Sequence, residues 1–165
     1  MYLKTVYNIL GPLCNPADVK AQAMGIFDPD LTELQARVLK TLDSTNIMVF
    51  HGRDGLDEIS TTTKTKISQV INGGSVNTYE FNPLDLGINI ASIDDLKGGG
   101  AEENADISIK ILSGEKGPKR DIVLLNAAAG IVVGGKAKDL REGFKKASDS
   151  VDSGSALDIL RKLAE

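Results

Sequence analysis

The feature that most constrains this chain is a short, almost wholly apolar run, Asn46 to His51, containing Ile47, Met48, Val49 and Phe50. No residue of that run alternates with a polar neighbour, so the segment reads as a strand covered on both faces. Upstream, Ala21 to Phe27 reads as a second buried strand. Between them, Asp28-Pro29 offers an N-cap and a first-turn proline. Leu31, Leu34, Val38 and Leu42 then recur at helical spacing, predicting an amphipathic helix over Asp30 to Leu42. Strand, helix and strand in that order suggest a βαβ unit and a parallel sheet.

Further along, Lys66 to Ile71 and Val76 to Phe81 read as two strands joined at Gly73-Gly74. Asn82 to Gly100 is loop-rich and ends in three glycines. The remainder has helical spacing. Ala101, Ala105, Ile109 and Leu112 form one stripe, stopped by Gly114, and Leu140, Phe144, Ala147 and Val151 form another. Leu157, Leu160 and Ala164 close the chain. Asp121 to Val133 is apolar on all sides, which suits a buried strand or a buried helix, and Ala127 to Ala129 tilt it towards helix. No internal repeat is evident. The expected architecture is a single α/β domain with a mixed sheet flanked by helices and a helix-rich C-terminal end.

Composition narrows the function classes. At 165 residues the chain suffices for one domain with a core. A net charge of -4 argues against nucleic acid as a partner, because a phosphate-backbone binder needs clustered Lys and Arg. Lys136, Lys138, Arg141, Lys145 and Lys146 are interleaved with acids and read as a solvated helix face. Cys14 and His51 are the only residues of their types, which excludes an intrachain disulfide and any multi-histidine metal site. Met1 to Leu13 lacks the pattern of a secretory signal, and Ile122 to Val133 is shorter than the roughly 20 residues that span a bilayer. A soluble, cytoplasmic protein without a membrane partner is expected.

The chemistry concentrates in His51-Gly-Arg-Asp-Gly-Leu-Asp-Glu-Ile-Ser60, directly after the apolar strand. Ligands of open α/β sheets gather beyond the carboxyl ends of strands, where this loop belongs. Asp57 and Glu58 are adjacent hard oxygen donors, a set that suits Mg²⁺ sharing its shell with water and substrate phosphate. An isolated Asp-Glu pair is more often a solvated acidic loop. His51 as a general base and Cys14 as a nucleophile are both weaker readings than packing, since neither has an activating neighbour in sequence. Gly98 to Gly100 precede Glu102 and Glu103, whose charge repels an anion, so they read as a connector.

Several stretches together resemble anthranilate phosphoribosyltransferases. They are Lys4-Thr-Val-Tyr-Asn-Ile-Leu-Gly-Pro-Leu-Cys-Asn-Pro16, the His51 to Ser60 loop, Leu112-Ser-Gly-Glu-Lys-Gly-Pro118 and Leu125-Asn-Ala-Ala-Ala129, in the family's order and separations. The related pyrimidine nucleoside phosphorylases fit the Leu10 to Pro16 and Gly55 to Glu58 runs less well. The resemblance implies the C-terminal portion of a phosphoribosyltransferase/nucleoside-phosphorylase-like α/β domain. It also implies transfer of phosphoribosyl from phosphoribosyl diphosphate to anthranilate, in tryptophan biosynthesis. Asp57 and Glu58 are then the Mg²⁺-binding pair, and Gly11 and Pro12 line the anthranilate channel. Family members also carry a helical N-terminal domain, a Gly-Thr-Gly-Gly-Asp phosphate loop, a Lys-His-Gly-Asn segment and an anthranilate-binding arginine, none of which is in these 165 residues. Lys4 replaces a frequent Arg, and Cys14 a frequent Thr. The expectation is therefore a single incomplete domain, inactive alone, that works with an N-terminal half and self-associates through an uncovered sheet edge. The alternative is a non-catalytic remnant serving as a binding or interaction module.

Overall fold

In the computed structural model, residues 10, 11, 13, 14, 17 and 19–164 are described. Most of the Lys4 to Pro16 run lies outside them, Pro12 included. Among the described residues, four strands form one mixed sheet in the order β1 (Ala21–Gly25), β2 (Asn46–Gly52), β3 (Thr65–Val70) and β4 (Asn77–Phe81). β1 and β2 run parallel, with Ala21 opposite Asn46 and Gly25 opposite Phe50. The next two pairings are antiparallel, placing Val49 against Ser68 and Ile67 against Tyr79. Helix α1 (Leu31–Thr41) makes the crossover between β1 and β2.

The apolar run of β2 divides between two cores. Ile47 and Val49 point to the α1 face, where Met24, Ile26, Ala36, Leu39 and Val70 join them. Met48 and Phe50 point the other way, into a larger cluster with Ile59, Ile67, Phe81, Leu125, Ala128 and Ala129. A strand buried on both faces has no place for polar alternation, which is why this one has none. The second core is closed by α3 (Pro118–Val133), the segment whose periodicity left strand and helix open. Its length, with Pro118 at the first helical position, resolves the matter in favour of helix. A glycine of α4 (Leu140–Asp152), Gly143, brings that helix against α3: a Cβ there would lie 2.8 Å from the Ala128 carbonyl oxygen.

Several sequence expectations shift. In α1 the buried face is Thr32, Gln35, Ala36 and Leu39, while Leu34 and Leu42 are about half exposed. The helix meets β3 partly through a hydrogen bond from Ser68 Oγ to Thr32 Oγ1, a polar contact invisible to apolar periodicity. The helix begins at Leu31 with Asp30 as its N-cap and no side-chain cap bond, so Asp28-Pro29 lies ahead of it, where Asp28 Oδ1 closes a local turn by accepting from the Asp30 N–H at 3.0 Å. The β3–β4 turn centres on Asn72-Gly73, both with positive φ (49° and 70°), rather than on Gly73-Gly74. The Gly74 N–H closes it onto the Ile71 carbonyl at 2.9 Å, the geometry of a primed turn. Residues 82–100 contain two short 3-10 turns, Pro83–Leu86 and Ile93–Leu96. In α2 (Ala101–Leu112) only Ile111 is buried, and Ala101, Ala105 and Ile109 of the expected stripe are exposed. Gly114 ends it as expected, at φ 99°, with Glu115 N–H reaching back to the Lys110 carbonyl. In α4, Leu140, Ala147 and Val151 are buried as predicted, and α5 (Ser155–Leu163) contributes no buried residue.

Candidate functional site: the acidic loop at the carboxyl end of the parallel pair

β1 ends at Gly25, opposite Phe50, and β2 runs two residues further to Gly52, where the loop of residues 53–64 starts. Its first turn is closed by backbone bonds, Gly55 N–H to the Gly52 carbonyl and Gly52 N–H to the Leu56 carbonyl at 2.8 Å. Gly55 takes φ 95°, a conformation that disfavours any residue with a Cβ. Asp54 is the hub. Its Oδ2 accepts from the Ser60 and Thr62 hydroxyls, both at 2.5 Å, and its Oδ1 from the Leu56 N–H at 3.1 Å. Burial pushes the Asp54 carboxyl up, but these donors outweigh that and hold it below the usual carboxylate range. Arg53 pairs with Glu80 of β4, tying the loop's start to the far side of the sheet.

Asp57 and Glu58 lie between two anchors. On one side the Asp57 carbonyl sits on Gly25 so closely that a Cβ there would be 1.6 Å from its oxygen. On the other, Ile59 is wholly buried and both its backbone groups are held by Asn126 of α3. The pair itself is exposed, and among the described residues neither carboxylate has a salt-bridge partner. Loss of water, and then repulsion by Asp57, push the Glu58 carboxyl above its ordinary range. Two neighbouring carboxylates with uncompensated charge fit a hard divalent cation. Among the described residues no group of three or more His, Cys, Asp or Glu could hold a metal. Two carboxylates alone leave most of a divalent cation's shell to other donors.

The other candidates fall where packing put them. His51 is buried, and its Nδ1 donates to the Ile26 carbonyl at 2.6 Å, extending the β1–β2 pairing rather than facing solvent as a base. Cys14 is exposed and unbridged. Gly11 is exposed, and a Cβ there would meet nothing described within 4 Å; its companion Pro12 lies outside the described residues. Gly98 to Gly100 wrap around Asn104, whose side chain pairs with both backbone groups of Gly99 at 2.9 Å, so they form a tied connector. In the basic run, Lys146 pairs with Glu142 and Arg141 donates to the Asp85 carbonyl. No helix among the described residues is long and apolar enough to cross a membrane.

Sequence reasoning passed over Gly25, Asp54 and Asn126. Two of them carried a signal: a glycine closing a strand marks close backbone approach, and a lone amide within a buried apolar helix marks a buried hydrogen bond.

A parallel pair ending in a carboxylate loop, backed by helices, puts that loop where open α/β sheets take their ligands, beyond the carboxyl ends of the strands. Residues 1–157 match the family described as glycosyl transferase family, a/b domain, and the chain belongs to that family. Within it, the chain is 52% identical to the anthranilate phosphoribosyltransferase of Acetivibrio thermocellus over 163 residues, which cover 99% of this chain and 47% of that protein. It is 50% identical to that of Alkaliphilus metalliredigens over 98% of this chain, again 47% of the relative. Among solved structures, anthranilate phosphoribosyltransferase from Thermus thermophilus superposes with a TM-score of 0.87 at 37% identity, over 97% of this chain and 47% of that one. The Saccharomyces cerevisiae enzyme in complex with PRPP and Mg gives 0.84 at 28% identity, over 96% of this chain and 46% of that one. The chain spans just under half the length of these relatives and aligns with their C-terminal part.

Proposed function

We propose that this chain supplies the Mg²⁺-binding half of the active site in a cytoplasmic anthranilate phosphoribosyltransferase, and that the phosphate-loop half comes from residues outside these 165. The observation that carries this reading is the Asp57–Glu58 pair, held out at the carboxyl end of the parallel strands by anchors on both sides. In the reaction, the bond from the anomeric carbon of phosphoribosyl diphosphate to diphosphate breaks and a bond to the anthranilate amine forms, with loss of an amine proton. Charge separates as the ribose carbon gains oxocarbenium character, so the reaction needs charge stabilisation and a positioned nucleophile more than a covalent catalyst. Mg²⁺ at this site supplies positive charge against the departing diphosphate. Asp57 and Glu58 hold that charge in place, and Asp54 with Ser60 and Thr62 keeps their loop in one conformation. Gly11 and Pro12 border the anthranilate channel.

Without the other half, an edge of the sheet and half-exposed apolar side chains such as Leu34, Leu42 and Ile71 are left uncovered, and the chain alone self-associates. The remnant reading is weaker because a loop relieved of its role has no need for two adjacent, unpaired carboxylates. The test is an anthranilate fluorescence assay with phosphoribosyl diphosphate and Mg²⁺. The 165-residue chain alone gives no turnover, and adding the separately produced N-terminal part of the Acetivibrio thermocellus relative restores it. Turnover by the isolated chain, or an assembled pair without activity, contradicts the proposal.

A further inference from the structure

We infer that Asn126 is a positioning residue for the Asp57–Glu58 pair, joining α3 to the metal-binding loop by a two-point clamp on the residue that follows Glu58. The inference rests on the metal reading above. Asn126 Oδ1 accepts from the Ile59 N–H at 2.9 Å, and Asn126 Nδ2 donates to the Ile59 carbonyl at 3.0 Å. One side-chain amide thus pairs with both backbone groups of a single residue, as a neighbouring strand would. The same Nδ2 donates to the Ile122 carbonyl at 3.0 Å, which fixes its own rotamer against the helix. The Ile59 side chain is 0% exposed, in one cluster with Leu125 and Ala129 of the same helix. Backbone and side chain of Ile59 are therefore both referred to α3, and the peptide that joins Ile59 to Glu58 is set by that attachment.

The purpose of the clamp follows from what it replaces. Residues 53–64 leave the sheet between β2 and β3, and among the described residues Ile59 has no strand partner to take its N–H and carbonyl. A buried backbone without partners is costly, so these two groups need a substitute. A hydrophobic residue in place of Asn126 fills the same space but frees both groups. The loop then gains water and an alternative path, and Glu58 loses its fixed position. On the opposite side Asp57 is referred to β1 through Gly25, so the acidic pair is suspended between the sheet and a helix. Groups that orient metal ligands act on affinity without touching the metal.

The experiment uses the ¹⁵N-labelled 165-residue chain and Mn²⁺ alone as a paramagnetic probe. Line broadening of the amides of residues 57–59 is followed during titration, together with hydrogen exchange of the Ile59 amide. In the parent chain these amides broaden, the Asp57→Asn/Glu58→Gln chain loses the effect, and the Ile59 amide is protected. Asn126→Ala moves the Mn²⁺ midpoint about tenfold or more towards weaker binding and removes the Ile59 protection. Asn126→Asp keeps the side-chain volume and the acceptor for the Ile59 N–H but sets an oxygen against the Ile59 and Ile122 carbonyls; it weakens Mn²⁺ in the same direction. A residue that only stabilised the fold would lower the melting temperature and leave the midpoint of the folded chain unchanged. A folded variant with a midpoint within twofold of the parent overturns the inference, and so does an Ile59 amide in the parent that exchanges as freely as an open loop. A parent chain whose 57–59 amides ignore Mn²⁺, or broaden equally without the two carboxylates, overturns the metal reading instead.

Discussion

Replacing Gly25 by alanine places a methyl carbon 1.6 Å from the Asp57 carbonyl oxygen and 2.6 Å from its carbonyl carbon. An ordinary contact begins at 3.4 Å, so about 1.8 Å of separation must be recovered. The obstructing atoms are backbone and cannot rotate away. β1 is held by its pairing with β2, and the Asp57 side of the contact lies in a loop clamped at Ile59. The strain is shared between a displaced loop and a bent strand end, costing about 2 kcal/mol, the middle of the range for overpacking. In a domain of this size that lowers the melting temperature by about 4–8 °C. Because the loop is the softer partner, the displaced residue is Asp57, and Mn²⁺ broadening at residues 57–58 weakens at the same time. Gly143→Ala separates the two effects. Its Cβ would meet the Ala128 carbonyl oxygen at 2.8 Å, between α3 and α4, so it destabilises the helix pair but leaves Mn²⁺ binding intact. Scanning calorimetry and the Mn²⁺ titration are read side by side. A Gly25→Ala chain that melts within about 1 °C of the parent and binds Mn²⁺ equally would refute the close approach on which the loop's position depends.

Gly130 is the opposite case: it is exposed within α3, and a Cβ there would meet nothing within 4 Å. Gly130→Ala raises stability by about 0.5–1 kcal/mol, through the unfolded chain's lost freedom, and urea denaturation measures the gain. Asp54, whose folded-state carboxyl is held down by its donors, stabilises the loop at pH values above the ordinary Asp range; that contribution is lost as pH falls through the lowered value. Amide exchange at Leu56 and Thr62, followed as pH falls, reports the loss, and Asp54→Ala shows fast exchange at every pH.

How much of this could be read from residues alone depends on what each element packs against. β2 was legible because burial on both faces leaves a run with no polar break, and α4 because Leu140, Ala147 and Val151 face a helix at the spacing that periodicity detects. α1 was found, but with the wrong face. Its inner surface includes Thr32 and Gln35, and the Leu at positions 34 and 42 point outwards. α2 was found with a stripe that buries only its end, since it lies at the periphery of the helical layer. Asp57 and Glu58 were visible as chemistry. Their supports were not, because Gly25 and Asn126 stand 32 and 69 residues from Asp57 in opposite directions, and act through backbone contacts that no local pattern encodes. Asp54 was overlooked for a related reason, since its partners Ser60 and Thr62 become a binding set only once the loop turns back on itself.

The central claim is that Asp57 and Glu58 bring metal charge to phosphoribosyl transfer, and one measurement addresses it directly. The chain is assembled with the separately produced N-terminal part of the Acetivibrio thermocellus relative, and Mg²⁺-dependent loss of anthranilate fluorescence is followed for the parent and for Asp57→Asn/Glu58→Gln. The amides keep the size of the carboxylates and remove the charge that holds the ion. The account predicts unchanged assembly by light scattering and a rate lowered on the order of a thousandfold, equivalent to about 4 kcal/mol of transition-state stabilisation. An assembled double variant as active as the parent, at the same Mg²⁺ concentration, would contradict it.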